Sequence, residues 1–217
     1  MNITRIETFD EHELLTRLAT TRLRGHGQPL IYANARLELV RKVDPATLFP
    51  AQRYVLDQDH HTIRDLYHAF QERGIDLFGL EGGVLFWRAD PEAPGGEEGP
   101  IPFIPPIVEM SHEPDGRIVP LINDGMHRVY TAMKMGRTLN IVLVHDVPVE
   151  YPYYAHALSK GWDEVVALAE LPDQFVKKSY RDPVQYKALF RDFNAVFDGI
   201  QKERKKTNPG ELRPGAG

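Results

Sequence analysis

Two basic side chains follow a glycine at the point where an apolar segment ends, in the sequence Asp124-Gly125-Met126-His127-Arg128. The preceding residues 119–122 are apolar and predict a buried strand, while Val129, Ala132 and Met133 recur at helical spacing. A helix that begins directly after a glycine turn presents unpaired N–H groups and the positive end of its dipole. Such a terminus favours an anion, and the planar guanidinium of Arg128 can hold two phosphate oxygens.

The same five residues also have a purely structural interpretation. Cations at a helix N-terminus oppose the dipole, which favours acidic residues there. A bound anion would offset that penalty, but nearby carboxylates paired with His127 and Arg128 would also do so. In this alternative Asp124 caps the helix, and the two interpretations stay open on the residues alone.

A resemblance to a known family favours the first interpretation. Asp124 to Arg128, followed by Ala132 and Gly136, resembles the phosphate loop of the ParB/sulfiredoxin-like superfamily. Residues 43–45 and 50–53 are similar to its first strand and the segment after it, and residues 106–108 to its second strand. The resemblance covers about residues 37–146. It implies an α+β fold with a small mixed sheet and flanking helices, and the helical spacing of apolar residues beyond residue 148 adds a C-terminal helical appendage.

The resemblance also implies a ligand and a set of site residues. The backbone of Gly125 and Met126, with the side chains of His127 and Arg128, would hold the phosphates of ATP or another nucleoside triphosphate. Asp124 would place Mg²⁺, orient the loop or act in catalysis beside His127. Gln52 and Arg53, in the segment after the first strand, are the other expected nucleotide-binding residues.

Departures from the family pattern limit the chemistry. Sulfiredoxins have their reactive cysteine where this chain has Met126, and a thioether cannot act as an attacking thiolate. ParB-like free serine kinases have a glutamate base that aligns with Gln52, and an amide cannot accept a proton. Asp57, its neighbour Asp59 and Glu109 are the candidate replacements, and spacing does not choose among them.

Composition sets further limits on the function. The 217 residues include no cysteine, which excludes disulfides and thiolate metal sites. A net charge of −5 makes nucleic acid an unexpected partner, although residues 202–206 form a basic tail. The acidic N-terminal segment has no apolar core typical of a signal peptide, and no apolar run is long enough for a membrane span, so we expect a cytoplasmic protein.

Periodicity and composition, together with the resemblance for the core, predict four regions along the chain. The first is an N-terminal helical segment over 1–36, with a helix from Phe9 to Arg24. The second is a nucleotide-binding core over 37–148, with a mobile loop at 88–102. A helical appendage over 149–206 and a disordered tail over 207–217 follow. Within the core, a helix is expected from Asp59 to Gly74. The longest helix of the appendage is expected to begin at Asp182 and Pro183.

The sequence therefore predicts a nucleoside-triphosphate-binding protein, a Mg²⁺-dependent phosphotransferase or NTPase acting on a small molecule. A nucleotide-gated interaction protein, which could dimerise, and a DNA-associated ParB-like protein are the alternatives.

Overall fold

The computed structural model describes residues 2–197 and residue 200 of the chain, and confirms an α+β fold. Three α-helices and nine strands form within these residues. The helices are α1 (Glu11–Ala19), α2 (Asp57–Gln71) and α3 (Met126–Lys134). The strands are β1 (Ile3–Asp10), β2 (Arg36–Val43), β3 (Tyr54–Leu56), β4 (Gly82–Ala89), β5 (Glu97–Phe103), β6 (Ile107–His112), β7 (Ile118–Asp124), β8 (Leu139–His145) and β9 (Val166–Leu168).

A four-stranded mixed sheet in the order β2-β8-β6-β7 forms the centre of the molecule. β8 and β6 run parallel, whereas β2–β8 and β6–β7 are antiparallel pairs. Alternate residues along a strand face opposite sides of the sheet. On β8, Leu139 and Ile141 pack into one apolar cluster and Val142 and Val144 into another. The sheet is therefore covered on both faces.

α2 and α3 cover one face of this sheet. Leu66 and Phe70 of α2 and Val129 and Ala132 of α3 are buried in the same cluster as Ile141. The two helices are joined by a hydrogen-bonding contact of 3.0 Å between Nδ1 of His60 and Oγ1 of Thr131. This packing fixes the beginning of α3 relative to the beginning of α2.

A second sheet, antiparallel and in the order β1-β4-β5, corrects two expectations. Residues 3–10 pair with β4 as a strand, so the predicted helix is shorter and begins at Glu11, capped by Asp10. Residues 97–103 form β5 on the other edge of β4, so the mobile loop predicted over 88–102 is wrong in its second half. Pairing with β4 supplies backbone hydrogen bonds that composition does not reveal.

The predicted C-terminal helical appendage is wrong over the described residues. After β8 ends at His145, the described residues form only short 3₁₀ turns, at Gly161–Glu164 and Tyr186–Leu189, and the strand β9. Leu189, Val196 and Phe197 are nevertheless buried, against Leu14 and Leu18 of α1. Their apolar spacing reflects packing of an irregular segment, because tertiary burial stabilises it without a helix. The predicted boundaries of the four regions stay predictions, and the predicted basic tail over 202–206 and the predicted disordered tail over 207–217 lie outside the described residues.

Candidate functional site

β7, Gly125 and α3 form the predicted strand–glycine–helix unit. β7 ends at Asp124, Gly125 has a φ of 90°, and α3 begins at Met126. A Cβ at Gly125 would lie 2.8 Å from Nε of Arg128 and 2.9 Å from Cβ of Pro106. Glycine is required because of both the left-handed backbone and the guanidinium packed over it.

The N-terminus of α3 has no side-chain cap. Its first N–H groups have no partner within the helix, which leaves donors and a partial positive charge at this end. The alternative in which Asp124 caps the helix is therefore not what the structure shows. Asp124 instead accepts a hydrogen bond from Nη2 of Arg128.

The guanidinium of Arg128 is paired rather than free. Only 12% of its side chain is exposed, and it donates to Asp124 and to the carbonyl oxygen of Ile104. Its Cζ lies 5.3 Å from the centre of the Phe103 ring, within range of a cation–π interaction. Asp124 is 44% exposed, so it is the more accessible member of the ion pair. An incoming anion would compete with this carboxylate for the guanidinium.

His127 lies beside an acidic residue of α2. Its Nε2 is 3.2 Å from Oδ2 of Asp59, although the geometry does not give a hydrogen bond and the contact is electrostatic. Burial lowers the pKa of His127 below its ordinary value of 6.5; Asp59 opposes this shift, and the cations Arg128 and Lys178 add to it. The imidazole is therefore mainly neutral at pH 7.

This lowered pKa predicts how stability depends on pH. Because the unfolded state takes up the proton first, the free energy of unfolding should fall as the pH drops from 6.5 to the lowered pKa. His60, whose pKa burial also lowers, acts in the same direction. In urea titrations from pH 7.5 to 5, His127→Asn should flatten this dependence. Asp59→Asn should extend the loss to lower pH, and an unchanged slope in both variants would contradict the assignment.

A cavity of about 320 Å³ opens beside the loop, and we refer to it as the loop cavity. Residues 124–128 form its polar wall. The rest of its lining is mainly apolar and comes from α2, the second sheet and the C-terminal segment: Ile63, Leu66, Phe86, Ile101, Pro102, Phe103, Ile104, Phe193, Asn194 and Phe197. Its size is at the lower end of the range of about 300–1,000 Å³ for small-molecule sites. The loop residues predicted from the sequence are thus brought to one cavity.

Gln52 and Arg53 lie outside the lining of this cavity. Nε2 of Gln52 donates to the carbonyl oxygen of Tyr54 at 2.8 Å. Arg53 forms an ion pair with Glu164 and donates to Oγ of Ser179 at 3.0 Å. Both residues hold β3 and the segments around it together, and their predicted nucleotide contacts have no support in this geometry.

Glu109 is buried in a polar network on the opposite face of the central sheet. Its Oε1 accepts from Nε of Arg191 at 2.9 Å and its Oε2 from Nη2 at 3.0 Å. The hydroxyl of Tyr32 and Nδ2 of Asn123 also donate to Oε1. Burial, followed by the charge of Glu109, raises the pKa of Tyr32, which keeps its hydroxyl protonated as a donor. A carboxylate occupied in this way is structural, and the geometry argues against Glu109 as a proton acceptor.

Asp57 is the first residue of α2, two positions before Asp59, and its predicted role as a proton acceptor stays a prediction.

Within the described part of the chain, no group of three or more histidines and carboxylates is arranged to hold a metal ion. Asp124 is therefore not part of such a group within the described residues. A magnesium ion here would have to come with phosphate oxygens and water as further ligands.

The sequence interpretation missed the site residues that the C-terminal segment contributes. Phe193 and Asn194 line the loop cavity, and Lys178 adds positive charge near His127. Nζ of Lys178 donates to the hydroxyls of Tyr153 and Tyr154, at 3.1 and 2.5 Å, rather than to a carboxylate in any described ion pair. No local pattern marks these residues, since only the path of residues 149–197 brings them to the loop.

The mixed sheet and its strand–glycine–helix unit define a ParB-like α+β protein. The family model of the ParB CE domain matches residues 13–166, which is more than half of the chain, and the chain belongs to this family. No curated protein and no solved structure matches the chain. None of the described helices has the length and apolar character needed to cross a membrane.

Proposed function

We propose that the protein binds a nucleoside triphosphate through the beginning of α3 and uses it as a phosphoryl donor. The observation that carries the proposal is the uncapped N-terminus of α3 at the wall of the loop cavity, with His127 and Arg128 in its first turn. Backbone N–H donors, the helix dipole and a bidentate cation together form a phosphate site. The aromatic and aliphatic part of the cavity would hold the nucleoside.

The ion pair of Arg128 with Asp124 gives this site a defined starting state. A phosphate carries more charge and more acceptor oxygens than a carboxylate, so it is the stronger partner for a guanidinium. When it takes Arg128, the carboxylate of Asp124 is released at the edge of the same cavity. Binding therefore delivers an unpaired carboxylate next to the phosphates.

Catalysis at such a site would come from positioning and neutralisation of charge. Mg²⁺ supplied with the nucleotide would neutralise part of the phosphate charge, which is its general contribution to phosphoryl transfer. His127, which is mainly neutral without ligand, would gain a proton beside the phosphates and stabilise the developing charge. The function is thus an ATP- or other NTP-dependent phosphotransferase or NTPase with a small-molecule substrate.

A nucleotide screen tests the binding step. The melting temperature of the full chain should rise with at least one of ATP, GTP, CTP and UTP in the presence of Mg²⁺, and the corresponding nucleoside should have little effect. Calorimetry of the best nucleotide then gives its Kd. Equal shifts for nucleoside and triphosphate would contradict a phosphate site, and so would the absence of any shift.

Asp124→Asn tests the competition for Arg128. The substitution removes the charge that competes with phosphate, so nucleotide affinity should increase about threefold to tenfold, in line with the ~1 kcal/mol of a partly exposed ion pair. Calorimetry with and without Mg²⁺ measures this change. Turnover should be lost despite tighter binding. A loss of affinity confined to the Mg²⁺ condition would instead make Asp124 a metal ligand.

A second candidate is a nucleotide-gated interaction protein without efficient chemistry. Two observations favour it: Gln52 aligns with the glutamate base of the ParB-like free serine kinases that the chain resembles, and Glu109 is held by Arg191. Release of nucleoside diphosphate distinguishes the candidates, because steady turnover excludes a pure switch. A DNA-associated function is disfavoured by the net charge of −5.

A further inference from the structure

A second cavity of about 390 Å³ lies next to the loop cavity, and we refer to it as the side cavity. Asp124, Phe193 and Asn194 line both cavities. The side cavity additionally has Asn123, Tyr154 and Arg191 in its wall. Two cavities of similar size therefore meet at one carboxylate, which is the group that phosphate binding would release from Arg128.

The lining of the side cavity is polar without a strong net charge. The charge of Arg191 is balanced by its bidentate ion pair with Glu109. The amides of Asn123 and Asn194 can donate and accept, and Asp124 accepts only. Amides and a carboxylate beside aromatic rings suit a molecule with several hydroxyls and apolar C–H faces. The carboxylate disfavours an acidic ligand.

The ring of Tyr154 is held firmly in this wall. It packs against Tyr153 and Phe190 at centroid distances of 4.2 and 4.7 Å, and its hydroxyl accepts from Nζ of Lys178 at 2.5 Å. A fixed ring presents a preorganised surface, so a ligand does not have to order it on binding. Tyr154 is not part of the loop-cavity lining, which makes it a selective probe of the side cavity.

We propose that the side cavity is the phosphoryl-acceptor pocket, and that the acceptor is a neutral polyhydroxylated molecule such as a sugar or polyol. This inference rests on the proposed function. The acceptor hydroxyl oxygen forms a bond to the γ-phosphorus, and the bond from that phosphorus to the β,γ-bridging oxygen breaks. The electron pair leaves with the nucleoside diphosphate, and the hydroxyl proton passes to the carboxylate of Asp124. The products are a phosphate monoester and a nucleoside diphosphate.

The experiment measures transfer of labelled γ-phosphate from the nucleotide that gives the largest thermal shift, with Mg²⁺. The probes are glucose, myo-inositol and ribitol as neutral compounds, and gluconate and glycerol 3-phosphate as acidic ones. At least one neutral probe should yield a labelled ester and raise diphosphate release at least tenfold above the rate in water alone. Acidic probes should be poorer acceptors.

Tyr154→Leu and Tyr180→Leu form a matched pair of variants. Both remove a ring from one aromatic cluster, but Tyr180 does not line the side cavity. Tyr154→Leu should raise the acceptor KM up to about tenfold through loss of the ring face, with the nucleotide-induced thermal shift retained. Tyr180→Leu should leave the acceptor KM near that of the parent.

The outcomes separate this inference from the proposed function. A nucleotide shift without transfer to any neutral probe, or transfer to acidic probes alone, overturns the acceptor assignment only. Equal KM effects of the two tyrosine variants also overturn it. Absence of any nucleotide shift overturns both proposals together. Selectivity among the probes is measured on the parent chain, so the test stands even where a variant fails to fold.

Discussion

Replacing Glu109 by alanine should lower the free energy of unfolding by about 3–5 kcal/mol, because it leaves a buried guanidinium without its counter-ion. The side chain of Arg191 is fully buried and that of Glu109 is 3% exposed. Tyr32 and Asn123 would lose the same acceptor. Urea unfolding of parent and variant measures the effect. We expect the midpoint to decrease with little change in slope.

The double variant Glu109→Leu with Arg191→Met is the control for this prediction. Removing both charges leaves no unbalanced charge in the interior, so the pair should cost less than the sum of the two single substitutions. Glu109→Gln should also be strongly destabilising, since an amide has no charge to balance Arg191. A stable Glu109→Gln variant that loses only turnover would return Glu109 to the role of proton acceptor.

Arg128→Ala should weaken nucleotide binding by about a hundredfold, since two hydrogen bonds to a charged phosphate contribute roughly 3 kcal/mol or more. Calorimetry with the nucleotide selected by the screen gives the change in Kd. The unliganded protein should also lose about 1–2 kcal/mol, because the carbonyl of Ile104 loses its donor. These results would show that Arg128 both binds the nucleotide and connects α3 to Ile104.

Arg137→Ala is the matched control for Arg128→Ala. Arg137 follows α3 at its other end and pairs on the surface with Asp76 at 3.2 Å, so the same charge is removed far from the loop. Its nucleotide Kd should stay within about twofold of the parent, as expected for an exposed ion pair. Unchanged affinity in both variants, with a stability loss in Arg128→Ala alone, would show that Arg128 is only structural.

The core of the site could be predicted from the sequence because its determinants are local. Residues 119–136 contain a strand pattern, a glycine and a helix pattern in immediate succession, and the structure confirms all three. His127 pairs with Asp59 and Arg128 with Asp124. Pairing of these two side chains with nearby carboxylates belonged to the structural interpretation of the loop, one of the two left open. Choosing between them required the positions of α2 and of Ile104, which sequence spacing does not give.

The location of Glu109 could have been inferred from strand parity. Ile107 and Glu109 lie on the same face of β6, whereas Val108 faces the cluster that contains α3. A carboxylate on the face of Ile107 points away from α2 and α3. As a carboxylate, Glu109 was a candidate proton acceptor. The two-residue period of the strand, however, places its side chain in the protein interior.

The C-terminal segment could not be predicted, because its apolar residues have helical spacing without a helix. Tyr186, Leu189, Phe190 and Phe193 match an amphipathic pattern, and Asp182 does cap a turn by accepting from the N–H groups of Val184 and Gln185. The turn ends at Leu189, two residues before Arg191, whose side chain enters the polar network around Glu109. Long-range burial decides that path, and local propensity is too weak to oppose it.

The 82 positions between Glu109 and Arg191 also have a consequence during synthesis. At about 5–20 residues per second, a ribosome takes roughly 4–16 s to add the arginine after the glutamate. From the completion of β8 until Arg191 is added, the carboxylate of Glu109 on β6 has no partner guanidinium to neutralise it. The native interior therefore closes late, when residue 191 arrives, and a chain that stalls before it should be a substrate for chaperones and proteases.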